Sequence, residues 1–314
     1  MFAYIVRRVI SFVPTLFIAV SLIFILTRMV PGNPVYAIIG HQGVSEEMVA
    51  ELTAELGLDK PILVQYFNWM RNILRGDFGS SVFFKKPVLN IILERFSVTL
   101  SLAGLSMILT VGLALPLGIF SAKRQGSKFD NITMIFSTLG VSLPIFWLGF
   151  MMMLLFAVVL HWLPAAGYRP LSMGFWPWFQ RLILPVVTLG LSQVALLVRQ
   201  TRNSMLEVLS CDYIVTAYAK GLSESKVIYK HALRNAFINI ITVIGLTFAL
   251  SLGGAVLVEN VFAIPGIGTL ITNAAIRRDY PVIEGGIAFI TMVALLANLL
   301  VDISYTIINP KVEL

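Results

Sequence analysis

Cysteine occurs once, at Cys211, and charge is scarce, with 23 Lys or Arg and 16 Asp or Glu among 314 residues. One cysteine excludes an internal disulfide framework and a cysteine-based metal cluster. A charged fraction of 12 %, against roughly 25 % in soluble domains, excludes a polar shell around a core. With 58 % hydrophobic residues the composition assigns the chain to a membrane. Also lacking are a G-x-x-x-x-G-K-[ST] phosphate loop, an H-E-x-x-H zinc string and a G-x-S-x-G nucleophile elbow. The histidines His41, His161 and His231 fall in three different segments. No catalytic residue and no metal ligand is therefore nominated, and the chain is not expected to bind and hydrolyse ATP through a phosphate loop.

What is present is a series of charge-free apolar runs. A hydrocarbon core about 30 Å thick calls for roughly 17 or more such residues in a helix. Six regions qualify: Val9 to Thr27, Phe96 to Ala122, Asn131 to Tyr168, Leu182 to Val198, Ala236 to Val258, and Gly285 to Val301, the last continuing past Asp302 to Asn309. The third is too long for one span and is read as a helix to about Leu160, kinked at Pro144, followed by a loop rich in Trp, Pro and Gly. The first exceeds the apolar stretch of a signal peptide and is expected to remain as an anchor.

An even number of spans puts both termini on one side. The short-loop bias of Lys and Arg places that side in the cytoplasm. Arg7, Arg8, Lys123, Arg124, Lys128, Arg199, Arg202, Lys220, Lys226, Lys230, Arg234 and Lys311 then lie inside, against Arg169, Arg181, Arg277 and Arg278 outside, once the long segment after the first span is set aside. The division is an N-terminal tail and first span (1–30), an extracytoplasmic segment (31–95) and a five-helix core (96–314) with a cytoplasmic loop at 199–235. The net charge of +7 belongs to this orientation, with no nucleic acid involved.

The external segment has its own helix signals. Ser45 can cap a helix bearing Glu46 and Glu47, with Gly57 as its stop; a second begins at Pro61 and runs to about Leu74, with Gly76 beyond it. Tyr66, Phe67, Trp69 and Met70 make the second amphipathic. In the cytoplasmic loop Asp212 is read as the cap of a short helix ending at Gly221, and Ser223 as the cap of the next. Ala217 and Gly221, four apart, are expected to share a helix face with room for a partner. Gly104, Gly112, Gly118, Gly253 and Gly254 would permit close helix approach. Asp302 is the ionisable residue read as clearly within a span; with Asn298 and Tyr305 it forms a structural polar face.

The string Tyr213 to Ser223 (YIVTAYAKGLS), followed by Lys230 to Ala236 (KHALRNA), resembles the cytoplasmic loop of permease subunits of binding-protein-dependent ABC importers, in the dipeptide, oligopeptide and nickel branch. The resemblance extends through Leu252 to Val256 (LGGAV), Val258 to Gly268 (VENVFAIPGIG), Arg278 to Val282 (RDYPV) and Asn298 to Asp302 (NLLVD). Pro31 to Pro34, Leu56 to Asp59, Gly76 to Gly79 and Trp162 to Pro164 also look like that branch.

The resemblance implies an all-α membrane protein of the type I importer fold, in the bacterial cytoplasmic membrane, with six transmembrane helices, an external helical segment and a cytoplasmic coupling helix. It implies a homologous second permease as heterodimer partner, two ABC ATPases that bind ATP and Mg, and an extracytoplasmic substrate-binding protein; membrane lipid surrounds the spans, and this chain holds no cofactor. The family's E-A-A-x-x-x-G motif falls on Val215, Thr216, Ala217 and Gly221, so an acidic anchor is missing, and its I-x-L-P reads His231-Ala232-Leu233-Arg234. ATPase coupling is accordingly assigned to Tyr213, Thr216, Ala217, Gly221, Leu222 and Ser223. Ser142, Pro144, Phe146 and Trp147 are nominated for the translocation path, where a proline break frees backbone groups at membrane depth. Peptides are the expected substrate, with nickel or a metal chelate as the alternative within the branch; a secondary transporter or channel is the reading from another class.

Overall fold

The computed structural model describes residues 2–29, 35, 46–55 and 57–308. Ser45, Leu56 and Pro31 to Pro34 lie outside them, as do the side chains of Asp302 and Tyr305. The described structure is helical apart from one bridge pairing between Ser80 and Pro87. The helices are α1 (Phe2–Met29), α2 (Glu46–Glu55), α3 (Ile62–Leu74), α4 (Val88–Lys123), α5 (Lys128–Ser142), α6 (Ile145–Met152), α7 (Phe175–Leu209), α8 (Asp212–Ala219), α9 (Leu233–Val261), α10 (Ile267–Arg277) and α11 (Tyr280–Ile308). Wider π-type turns prolong α6 over Met153–Val159 and lead into α9 over Lys226–Ala232.

Five helices, α1, α4, α7, α9 and α11, are long and apolar enough to cross a membrane, and the bent pair α5 and α6 makes six if counted as one span. Most outrun their charge-free runs. Helix α4 reaches 36 residues and α7 reaches 35, because a spanning helix continues through the headgroup zone where charges stay solvated. The loop read as starting at residue 199 therefore begins after Leu209.

At Pro144 the expected kink is a full break, with α5 and α6 bent by 103°. Leu143 and Pro144 are extended, at φ −81°, ψ 128° and φ −62°, ψ 133°. A proline ring pushes the residue before it out of the helical region, whereas Pro14, Pro116 and Pro185 are carried inside α1, α4 and α7.

The described chain forms two units, one of residues 1–10, 100–264 and 294–314, the other of 11–99 and 265–293. In the first, Ala114, Ile119 and Ala122 of α4, Leu197, Val198 and Met205 of α7, and Ala236 and Ile240 of α9 form the core. Gly118 lies where α4 meets α7: a Cβ there would stand 2.6 Å from Thr201 Cβ and 2.9 Å from the Val198 carbonyl. Gly254 has Leu189 Cδ1 3.1 Å from the same position. Gly104, Gly112 and Gly253 have nothing within 4 Å, so they do not serve close approach here.

In the second unit Val88, Ile91 and Ile92 of α4 pack with Ile267 and Leu270 of α10 and with Val282 and Phe289 of α11. Helix α3 seats Met70, Tyr66 and Trp69 against Val20 and Ile23 of α1. Gly57 and Gly76 follow α2 and α3 at φ +65° and +79°, the left-handed stops that their sequence positions indicate.

Candidate functional site

Helix α8 is held by its own sequence. Cys211 precedes it in extended backbone with no side-chain cap, and Asp212, read as the cap, is the first helical residue. A carboxylate there faces the positive end of the helix dipole. At the other end Gly221 N–H donates to the Tyr218 carbonyl (2.9 Å) and Leu222 N–H to the Ala217 carbonyl (3.4 Å). This paired closure needs a left-handed residue, and Gly221 supplies it at φ +74°.

Ala217 and Gly221 therefore do not share a helix face. The helix ends at Ala219, and Gly221 lies beyond the turn. Ala217 is buried with Ile214 against Met205, Val227 and Ile228, so it offers no room to a partner. Exposed instead are Tyr213, Val215, Thr216 and Tyr218, together with Gly221 and Ser223; Leu222 is half-buried. Tyr213 Oη accepts from Asn235 Nδ2 at 2.9 Å, tying α8 to the start of α9. The Ser223 carbonyl accepts from Val227 N–H at 3.1 Å at the start of the next helical segment, and Glu224 meets Lys123 of α4 at 2.9 Å.

The same unit holds a buried cluster that the sequence reading passed over. Asp130, in the first turn of α5, takes Arg202 Nε at 2.6 Å and a second guanidinium nitrogen at 2.7 Å, and accepts from Gly126 N–H at 2.9 Å. Ser121 of α4 completes its acceptor set. Ser127 Oγ accepts from Asp130 N–H at 3.2 Å, so the Ser127-x-x-Asp130 spacing is an N-terminal capping signal that could have drawn attention to it. Nothing in the sequence pointed Arg202 at Asp130, because 72 residues separate them.

Around the break, Ser142, Pro144, Phe146 and Trp147 are all exposed on one short stretch. Ser142 Oγ donates to the Thr138 carbonyl at 3.0 Å, and Leu148 N–H to that of Pro144 at 3.0 Å. The first N–H groups of α6 and the last carbonyls of α5 have no intrahelical partners there. Of the polar face read on the last span, Asn298 is half-buried, while the side chains of Asp302 and Tyr305 fall outside the described residues. Asp302 is not alone within a span: Glu259 in α9 and Glu284 in α11 are buried in helices that pass the length and hydropathy test. A search for charge-free runs places every carboxylate at a run's end by construction.

Two family models match the chain. Residues 114–314 match the binding-protein-dependent transport system inner membrane component, and residues 1–103 match the N-terminal part of a membrane component of such systems. A "Probable peptide ABC transporter permease protein" of Sinorhizobium fredii is 44 % identical over 310 residues, covering 99 % of each chain. The dipeptide transport system permease protein DppB of Escherichia coli is 39 % identical over 339 aligned positions, covering all of this chain and 99 % of that one. An inward-facing structure of the MetNI methionine ABC transporter shares the fold at a TM-score of 0.57 and 16 % identity, over 70 % of this chain and 97 % of its own. The chain belongs to the family of inner membrane components of binding-protein-dependent transport systems.

Proposed function

We propose that the chain is the permease subunit of an ATP-driven peptide importer, which passes di- or oligopeptides delivered by an external binding protein across the inner membrane. Relatives that span its whole length are named for peptide and dipeptide transport, which favours peptides over nickel. The subunit performs no chemistry of its own: ATP and Mg bind to two partner ATPases, and a homologous permease completes a heterodimer. Both termini are cytoplasmic, which puts α8 on the ATPase side.

The observation that carries the coupling assignment is the construction of α8. Its inner residues Ile214 and Ala217 are locked in the core beside α4, α7 and α9, while Tyr213, Val215, Thr216, Tyr218, Gly221 and Ser223 face outward. An exposed aromatic and apolar patch on a short, rigidly seated helix suits a protein partner. A push on this face is delivered to the spans through packed side chains, and ATP binding elsewhere then shifts the population between inward-facing and outward-facing packings. Ser142, Pro144, Phe146 and Trp147 line the path at the α5–α6 break, where unpaired backbone groups can meet a peptide's own amides.

The test is uptake of a labelled dipeptide into proteoliposomes containing the permease pair, the ATPases and the binding protein. Accumulation that needs ATP and the binding protein supports the assignment; accumulation by this chain alone under an ion gradient overturns it.

A further inference from the structure

Within the unit of residues 11–99 and 265–293, a cavity of about 470 Å³ opens beside α3. It is lined by the cations Arg28, Lys60, Arg71, Arg75 and Arg278 and by the carboxylates of Asp77 and Glu284. Glu284 is held in an ion pair, whereas Asp77 keeps its charge and is held only by a backbone hydrogen bond, so the five cations outnumber the two carboxylates. Glu284 takes Arg28 at 2.5 Å and the Thr27 hydroxyl at 2.8 Å, and Asp77 accepts from Gly79 N–H at 2.9 Å. Lys60, Arg71, Arg75 and Arg278 have no ion-pair partner among the described residues. The side-chain amides of Asn68 and Asn72 add neutral donors to the same lining.

The order of residues around α3 says where this cavity sits. At about 100° per residue the helix divides into three sectors. Tyr66, Trp69, Met70 and Ile73 face the protein. Leu63, Phe67 and Leu74 form a neighbouring apolar stripe that is exposed at 68 %, 67 % and 80 %. Asn68, Arg71, Asn72 and Arg75 occupy the third sector and face the cavity. A bare apolar stripe alongside a cationic one is the pattern of a helix lying in a membrane–water interface. The turn beside the cavity repeats it: Phe83 and Phe84 are exposed next to Lys85 and Lys86, and Val82 reaches the lining.

We infer that the cavity is a binding site for the phosphate of an anionic phospholipid headgroup, held by Arg71 and Arg75 with Lys60 and Arg278, while the acyl chains run along Leu63, Phe67 and Leu74. Guanidinium groups match phosphate oxygens in paired hydrogen bonds. Basic residues near a membrane surface draw anionic lipid cumulatively. The site fixes the interfacial segment to the bilayer that surrounds the spans, and it does not depend on which substrate is carried.

The experiment is native mass spectrometry of the purified transporter complex titrated with phosphatidylglycerol, phosphatidylcholine or inorganic phosphate. Phosphatidylglycerol binds in preference to phosphatidylcholine; R71Q/R75Q weakens it on the order of tenfold, and R71K/R75K, which keeps the charge but loses the paired hydrogen bonds, weakens it less than the Gln pair does. Equal binding of the two lipids, or a Gln pair that binds phosphatidylglycerol like the parent, overturns the site. Displacement of the lipid by an equal concentration of inorganic phosphate assigns it to a soluble anion and overturns the lipid source. A Gln pair that keeps lipid but loses capture of the substrate-binding protein assigns the cavity to an acidic protein surface, which also overturns it.

Discussion

Arg202 grips Asp130 with two hydrogen bonds of 2.6 and 2.7 Å, both side chains being largely withdrawn from the surface at 17 % and 2 % exposure. The pair joins the start of α5 to the C-terminal third of α7, and the hydroxyl of Ser121 brings in the end of α4. Removing one partner of a buried pair leaves the other charge uncompensated, which costs about 3–5 kcal/mol. D130N is expected to lower the melting temperature of the detergent-purified complex markedly, and D130N/R202M to recover part of the loss. A melting temperature unchanged by D130N would show the pair to be dispensable.

Gly221 stands at φ +74° with open space where a Cβ would go, so any effect of substitution there is a backbone effect. A β-branched residue in the left-handed region costs roughly 1–2 kcal/mol, and Asn costs less. G221V should fray the end of α8 and G221N should be tolerated. Hydrogen exchange at the Gly221 and Leu222 amides, whose bonds to Tyr218 and Ala217 close the helix, reads this directly.

The glycines of α4 are expected to divide by position. G118A drives a methyl into Thr201 and the Val198 carbonyl, whereas G104A and G112A enter open space. Overpacking of this kind costs about 1–3 kcal/mol. Thermal unfolding of the three variants should show loss for G118A alone; equal losses in all three would mean that the α4–α7 approach is not what Gly118 serves.

Most of the span plan was legible because apolar runs of membrane length have few alternative explanations. Stops at Gly57, Gly76 and Gly221 were legible too, since only glycine takes φ values of +65° to +79° without strain. What escaped has a common physical origin. Asp130 with Arg202, and Glu284 with Arg28, are far apart in the chain and meet only through helix packing, while their charges end an apolar run when read in one dimension. Spacing also misled at Ala217 and Gly221: four residues share a face only if the helix continues, and here it stops between them. Pro144 was noticed, but whether a proline bends or breaks a helix is decided by its surroundings, as Pro185 inside α7 shows.

Straightening the break is expected to harm transport more than assembly. With alanine at position 144, Leu143 is free to return to the helical region and its neighbours regain a continuous hydrogen-bond ladder across the present 103° bend. P144A should leave complex yield near the parent level while uptake falls several-fold. Normal uptake would remove Ser142, Pro144, Phe146 and Trp147 from the proposed path.

The proposed coupling of ATP use to substrate movement through α8 is tested most directly by measuring ATP hydrolysed per labelled dipeptide imported in proteoliposomes, for the parent complex and for G221V. The mutant complex is expected to assemble and hydrolyse ATP while uptake drops at least several-fold, so that the ratio rises. An unchanged ratio, with the end of α8 shown to be frayed, would contradict that coupling.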